Sequence, residues 1–236
     1  MDNNRREVDE TTNEFVRPRA RYADRADAGR VLAACLGKYK NQDVLVLGIP
    51  RGGVPVAAEV ARALHADLDV IVARKLGAPG QPELAIGAVT SNGGRFFNDE
   101  AIEALGVSDE YLEHVTAVEM DEAHRRERMF RNGGEPERIQ GRVVIIVDDG
   151  LATGATMRAS VRSVRKRNPA RLVVAVPVGS REACADLRKE SDEVVCAYEP
   201  AVFLAVGLHY ERFYPTPDDE VTAILQQYVK TPAAAG

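Results

Sequence analysis

Tryptophan is absent, and cysteine and histidine are scarce, at three and four residues among 236. Cys35, Cys184 and Cys196 have no C-x-x-C spacing, and the histidines at 65, 114, 124 and 209 have no metal-site spacing. The cysteines therefore read as small core or surface residues of a reduced, intracellular protein. No run approaches the ~18 apolar residues that a membrane helix needs, and the N-terminus lacks an apolar signal core. Cytoplasm is the expected compartment. A net charge of −5, from 31 Lys and Arg against 36 Asp and Glu, supplies no general basic footprint for nucleic acid. No G-x-G-x-x-G is present. What the chain does have is 45% hydrophobic content, ample for one large α/β domain and marginal for two.

The most informative stretch is residues 142–160, RVVIIVDDGLATGATMRAS. Arg142 to Val147 is an apolar, β-branched run that predicts a buried strand of a parallel sheet. Asp148 and Asp149 follow at once, then a small-residue turn from Gly150 to Thr156. Met157, Val161 and Val164 then recur at the helical spacings of four and three. A strand, a glycine turn and a helix N-terminus form an anion site, because unpaired N–H groups and the positive end of the helix dipole face the turn. Gly150 and Gly154, with Ala152 and Ala155 between and after them, let the backbone approach a phosphate. Thr153 and Thr156 add hydroxyl donors. The turn is too short for a P-loop and lacks its lysine. Carboxylates repel phosphate, so Asp148 and Asp149 should face the uncharged part of the same ligand. A sugar diol, alone or with Mg²⁺, satisfies them. The implied ligand carries a phosphate beside vicinal hydroxyls, as a ribose 5-phosphate does.

GIPRGGVP, residues 48–55, is a second unit of this kind. It lies between a strand expected over Asp43–Ile49 and a helix expected over Val56–Leu64. Gly52 and Gly53 should bare two consecutive amides, and Arg51 adds a fixed cation suited to bidentate phosphate contacts. Leu68–Ala73 predicts the second core strand, delivering Arg74 and Lys75 at its C-terminal end, the ligand edge of an open sheet. Pro79, Gly80 and Pro82 predict a non-helical, mobile loop after it.

VVIIVDDGLATGAT resembles the phosphoribosyl-pyrophosphate (PRPP) motif of type I phosphoribosyltransferases. RGGVPVA, RKLGAPG and DDGLATGAT together resemble a group of uncharacterised phosphoribosyltransferase-like proteins, a likeness that does not fix an acceptor. The resemblance implies that residues 150–156 hold the 5-phosphate, and that Asp148 and Asp149 hold the ribose hydroxyls and a Mg²⁺ ion. It implies a pyrophosphate loop at Arg51, Gly52 and Gly53, with a cis peptide between Pro50 and Arg51. It also implies that Arg74 and Lys75 reach the pyrophosphate while a mobile loop closes over the site.

The remaining segments frame these motifs. Residues 1–18 are polar and charged and are expected to form a disordered tail, and 231–236 a loose one. Asp24 or Asp27 should cap a helix over Ala26–Tyr39. Leu84–Thr90 and Arg95–Phe97 flank Ser91-Asn92-Gly93-Gly94 and predict a hairpin. Asn98 or Asp99 caps a short helix to Leu105, and Ser108 starts a long one to Phe130. Residues 98–131 thus form a helical insertion, either part of a hood or a dimer element. The basic run HRRERMFR at 124–131 reads as a solvated face or subunit contact in preference to a nucleic-acid patch, because Glu113, Glu119, Asp121 and Glu122 lie close by. Arg171–Pro177 and Glu193–Ala197 predict two further parallel strands around a helix over Arg181–Lys189 capped by Ser180. Residues 203–214, FLAVGLHYERFY, faintly resemble the C-terminal stretch of hypoxanthine-type transferases. Phe203, Tyr210, Phe213 and Tyr214 are candidates to stack on a base, with core packing as the equal alternative. No lysine directly follows Val178, so purine specificity is not implied. A last helix is expected over Val221–Tyr228.

The expected architecture is a Rossmann-like α/β core of about five parallel strands flanked by helices, with a hairpin and helical hood, in one domain over 19–230. The expected activity is Mg²⁺-dependent transfer of ribose 5-phosphate from PRPP to a nitrogen acceptor, a nucleobase by resemblance, with release of pyrophosphate. The alternative is a non-catalytic PRPP or nucleotide sensor on the same fold. A homodimer is common among such proteins.

Overall fold

The computed structural model describes residues 21–228, so the expectations for the two tails lie outside the described residues. The central sheet has five parallel strands in the order β2-β1-β6-β7-β8, which are Asp67–Val70, Val44–Gly48, Val143–Val147, Arg171–Val178 and Glu193–Tyr198. Their nearly unbroken apolar runs reflect burial on both faces. Alternate residues feed two cores. Val44, Val46, Ile145, Val147, Val173 and Ala175 pack with helices α1 (Arg25–Cys35) and α2 (Gly53–Leu64) and with Val221 and Leu225 of α7 (Asp218–Gln226). Leu45, Leu47, Val144, Ile146, Val174 and Val176 pack with α5 (Ala155–Arg165) and α6 (Arg181–Glu190). Two layers of helices therefore sandwich one sheet, as the period-2 geometry of strands requires. Among the described residues, no helix is long and apolar enough to cross a membrane.

The chain departs from expectation after β2. The run Leu68–Ala73 is not one strand. β2 stops at Val70, and from Ala73 the backbone pairs antiparallel with Thr90 instead. Arg74 and Lys75 therefore lie within β3 (Ala73–Ala78), part of a separate sheet in the order β3-β4-β5. The loop expected at 79–82 is a tight connection: Ala78 opposes Gln81, and Gly80 adopts φ 70°. β4 (Gln81–Thr90) and β5 (Arg95–Phe97) form the expected hairpin.

The helical insertion, here the hood, packs on the small sheet. Helix α3 (Asp99–Ala104) is capped by the Asn98 side chain and α4 (Asp109–Phe130) by that of Ser108. Ile102, Tyr111, Leu112, Val115 and Met120 pack against Leu76, Ile86 and Val89 of the small sheet. The basic run on α4 serves structure. Arg125 and Arg126 both pair with Glu122. Arg131 donates to buried Asp69 of β2 through Nε at 2.8 Å and Nη2 at 3.1 Å, and also pairs with Glu127 at 2.9 Å. Asp69 additionally accepts the Glu137 amide at 3.0 Å, tying the end of the hood to the core.

Asp69→Ala would leave the enclosed Arg131 guanidinium without its bidentate partner. We expect a loss of about 3 kcal/mol in urea unfolding, within the range for breaking a buried ion pair. A loss below ~1 kcal/mol would show that Glu127 alone holds Arg131.

Candidate active site

The site is assembled by strand register. β1 and β6 pair in parallel with Gly48 opposite Val147, so the loops leaving them start side by side. Ile49 donates to the Val147 carbonyl at 2.9 Å and prolongs the pairing to the loop mouths. Beyond it the Pro50–Arg51 peptide is cis, as the resemblance implied. α2 begins at Gly53, three residues earlier than its apolar pattern suggested.

Gly52 and Gly53 are required by close approach. A Cβ on Gly53 would lie 2.8 Å from the Val147 carbonyl oxygen and 2.9 Å from Asp148 Cα. A Cβ on Gly52 would overlap Asp149 Oδ2. The Gly53 amide is not bare, since it donates to the Ile49 carbonyl at 3.0 Å. Arg51 is exposed, with Nη1 3.7 Å from Asp218 Oδ1 at the start of α7.

Asp148 and Asp149 sit at the floor. Asp148 Oδ1 accepts the Asp149 amide at 2.8 Å. Asp149 Oδ2 accepts from Arg25 Nε at 2.9 Å and lies 2.8 Å from Arg25 Nη2. Burial, and then repulsion from Asp149, pushes the Asp148 carboxyl well above the usual carboxylate range. Burial also raises Asp149, against the opposing pull of Arg25. Two acids share one cation here, a donor set of hard oxygens with charge left to balance. That set fits Mg²⁺.

Arg25 escaped the sequence reading. It also donates through Nη1 to the Tyr214 carbonyl at 2.7 Å, and its guanidinium lies 4.1 Å from the Phe213 ring centroid. One signal was available. Arg25 is the first residue of α1, directly after the capping Asp24, where the helix dipole disfavours a cation.

The 150–156 loop is pinned from behind. Leu151 donates to the Val178 carbonyl at 2.9 Å, and Ser180 donates its amide to Leu151 and its hydroxyl to the Ala152 carbonyl, each at 2.8 Å. Gly150 lies against Val206, where a Cβ would collide. Gly154, at φ 79°, is the N-cap of α5 and brings no capping side chain. The first-turn amides of Ala155, Thr156 and Met157 have no carbonyl one turn behind them within the helix. Ala152 and Thr153 are exposed at the loop tip, and Thr156 is half-buried.

The other candidates have partners of their own. Arg74 Nε pairs with Glu119 of α4 at 2.8 Å, and Lys75 Nζ with Glu83 at 3.1 Å. Phe203 stacks on His209 at a centroid distance of 5.7 Å. Tyr210 is buried, and its hydroxyl donates to the Asp149 carbonyl at 2.5 Å, so it supports the floor and is not a free stacking face. Tyr214 is exposed. A cavity of about 680 Å³ near Arg95 and Lys166 includes none of the loop residues, and its Arg162 and Arg165 are already paired with Glu190 and Asp192.

A model of the phosphoribosyl transferase domain family matches residues 21–210. Two Mycobacterium tuberculosis proteins, from strains CDC 1551 and H37Rv and provisionally named as phosphoribosyl transferases, are each 45% identical over 215 residues. The match covers 91% of this chain and 48% of each relative, so the chain spans about half the length of the curated relatives it matches. The crystal structure of TT1426 from Thermus thermophilus is 42% identical, with a TM-score of 0.75, covering 89% of this chain and 100% of that one. The chain belongs to the phosphoribosyl transferase domain family.

A raised carboxyl pKa in the folded state means that folding takes up protons between the ordinary and the raised value. Stability then falls as pH rises through that window, and the whole cost is present above it. Asp148→Asn keeps the acceptor for the Asp149 amide and removes the charge. Differential scanning calorimetry of the unliganded protein at pH 7 should show Tm higher by a few degrees, with the gain vanishing toward pH 4. An unchanged or lower Tm at pH 7 would contradict the electrostatic account.

Proposed function

We propose that this chain is a Mg²⁺-dependent phosphoribosyltransferase, displacing pyrophosphate from C1 of PRPP with a nitrogen nucleophile of a nucleobase. The observation that carries this reading is the contact of two strand–glycine-turn–helix units across Gly52 and Asp149. One unit suits a terminal phosphate, the other suits a pyrophosphate, and the paired acids between them suit a diol.

The transition state resembles an oxocarbenium ion separating from pyrophosphate, so neutralising the leaving group matters more than a strong base. Mg²⁺, when bound at Asp148 and Asp149, would supply part of that charge. Arg51 stands exposed beside the glycine turn and would take the pyrophosphate oxygens, with Gly52 and Gly53 leaving room for their approach. Arg74 and Lys75 would join from β3 after leaving Glu119 and Glu83. Asp148 and Asp149 would accept hydrogen bonds from the ribose hydroxyls and favour the positive charge that develops on the ring. Gly150, Ala152, Thr153, Gly154, Ala155 and Thr156 would grip the 5-phosphate at the start of α5. That remote grip positions C1 for attack and converts binding energy into rate. Arg25 links Asp149 to Phe213 and the Tyr214 carbonyl, so the ribose floor and the candidate acceptor wall at 203–214 would move together. Phe203, half-buried against His209, would bound that wall.

The test is PRPP calorimetry with and without Mg²⁺, on wild type and Asp149→Asn, followed by pyrophosphate release across purines, pyrimidines and simple amines. Metal-dependent binding weakened at least tenfold in the variant, together with pyrophosphate release for one acceptor, is the expected result. Equal affinity in both proteins would remove the acids from the site. Tight binding without any release would favour a PRPP sensor.

A further inference from the structure

The three cysteines looked unrelated in sequence, yet the fold brings two of them together. Cys184 lies in the first turn of α6, and Cys196 lies near the end of the adjacent edge strand β8. Glu199 follows one residue beyond that strand. The two sulfurs and a Glu199 carboxylate oxygen all lie within 4.8 Å of one another. Cys184 is buried, while Cys196 and Glu199 are half-buried, so the cluster has a closed back and an open front.

A glycine makes the room. A Cβ on Gly179 would lie 2.9 Å from Cys184 Sγ and 3.3 Å from Cys196 Sγ. Any other residue at 179 would press on both sulfurs. On the open side Arg188 pairs with Glu199 Oε1, one turn along α6 from Cys184. Cys196 Sγ also donates to the Tyr198 carbonyl at 3.2 Å in the thiol form.

We infer that Cys184, Cys196 and Glu199 form a site for a soft divalent cation of the zinc class. Two sulfurs and one carboxylate match zinc chemistry, and they do not match the all-oxygen preference of Mg²⁺. The charges close. Two thiolates and a carboxylate carry −3, and a divalent ion with the Arg188 guanidinium carries +3. Arg188 takes the part of the outer partner that orients a ligating carboxylate. On binding, two S–H bonds break, two sulfur–metal bonds form, and two protons leave to solvent. A water on the open side would complete a four-coordinate ion.

The location gives such an ion a purpose. Gly179 and Ser180 connect β7 to α6, and Ser180 holds Leu151 and Ala152 of the 150–156 loop. The Gly179 amide donates to the Tyr198 carbonyl, and the Cys184 amide to the Ser180 carbonyl. A metal bridging Cys184 and Cys196 would staple α6 to β8 directly behind that support. The site does not depend on the proposed transferase reaction.

The experiment uses the full chain, reduced and stripped with a chelator, and titrates it with Cd²⁺ and then with Zn²⁺ in competition. Thiolate-to-cadmium charge transfer is read in the ultraviolet. The expected result is one ion per chain, two protons released, and two of the three thiols protected from alkylation. Cys35→Ser should leave the signal intact, whereas Cys196→Ser should abolish it. Glu199→Gln, a half-exposed position where misfolding is not the concern, should weaken affinity at least tenfold while circular dichroism stays unchanged. Absence of the band in wild type, its persistence in Cys196→Ser, or undiminished affinity in Glu199→Gln would each overturn the site.

Discussion

Everything at the candidate active site depends on the parallel pairing of β1 with β6. That pairing sets Gly48 beside Val147, and the two chains leave the sheet within contact of each other. Gly52 and Gly53 then have no space for a side chain, because Asp148 and Asp149 fill it. The constraint runs both ways. Acids at 148 and 149 can sit in the mouth only because residues 52 and 53 have no Cβ. A slip of one residue in this register would turn every β6 side chain to the opposite face, exchange the residues that the two cores receive and carry Asp148 and Asp149 out of line with Gly52 and Gly53. The position of the acids is therefore held by the apolar packing of the whole sheet.

The electrostatics at the floor work against the fold. Asp148 and Asp149 are both pushed toward their protonated forms by burial, and Asp148 also by its neighbour. Arg25 relieves only part of this, since it touches a single oxygen of Asp149. Such residual charge costs stability in the free protein and would be offset by a cation or a polyol donor bound there. Preorganised discomfort of this kind is a common mark of ligand sites. It also explains why Arg25 sits at a helix start, where its own dipole environment is unfavourable. The ion pair with Asp149 and the Phe213 face outweigh a dipole term of about 0.3–1 kcal/mol.

The sheet was legible because strands buried on both faces write themselves as continuous apolar runs. The order of helices followed from their caps: Ser108 and Ser180 cap as expected, and of the two pairs of candidates Asp24 caps α1 and Asn98 caps α3. The departure at Ala73 was not legible. Nothing in LDVIVARKLGA marks the two residues at which the backbone leaves one sheet and joins another, since Ile71 and Val72 are as buried as the strand before them. Arg25 was hidden for a different reason. Its partner Asp149 is 124 residues away, and no local pattern encodes a contact at that separation. The same holds for Cys184 and Cys196, whose proximity is a product of the α6–β8 packing and not of their spacing.

The two cations of β3 differ in what holds them, and that difference bears on how a ligand would be enclosed on the proposed reading. Lys75 pairs with Glu83, whose side chain is 97% exposed, so the ion pair is worth at most about 1 kcal/mol. A pyrophosphate would draw Lys75 away at little cost. Arg74 is bound to Glu119 from α4, with both side chains more enclosed. Releasing Arg74 would also loosen the contact between the small sheet and the helix that Arg131 anchors to β2. Lys75 can thus respond by side-chain motion at little cost, whereas recruiting Arg74 would break a more enclosed pair that joins β3 to α4. Lys75, one residue nearer the turn between β3 and β4, is the one free to move first.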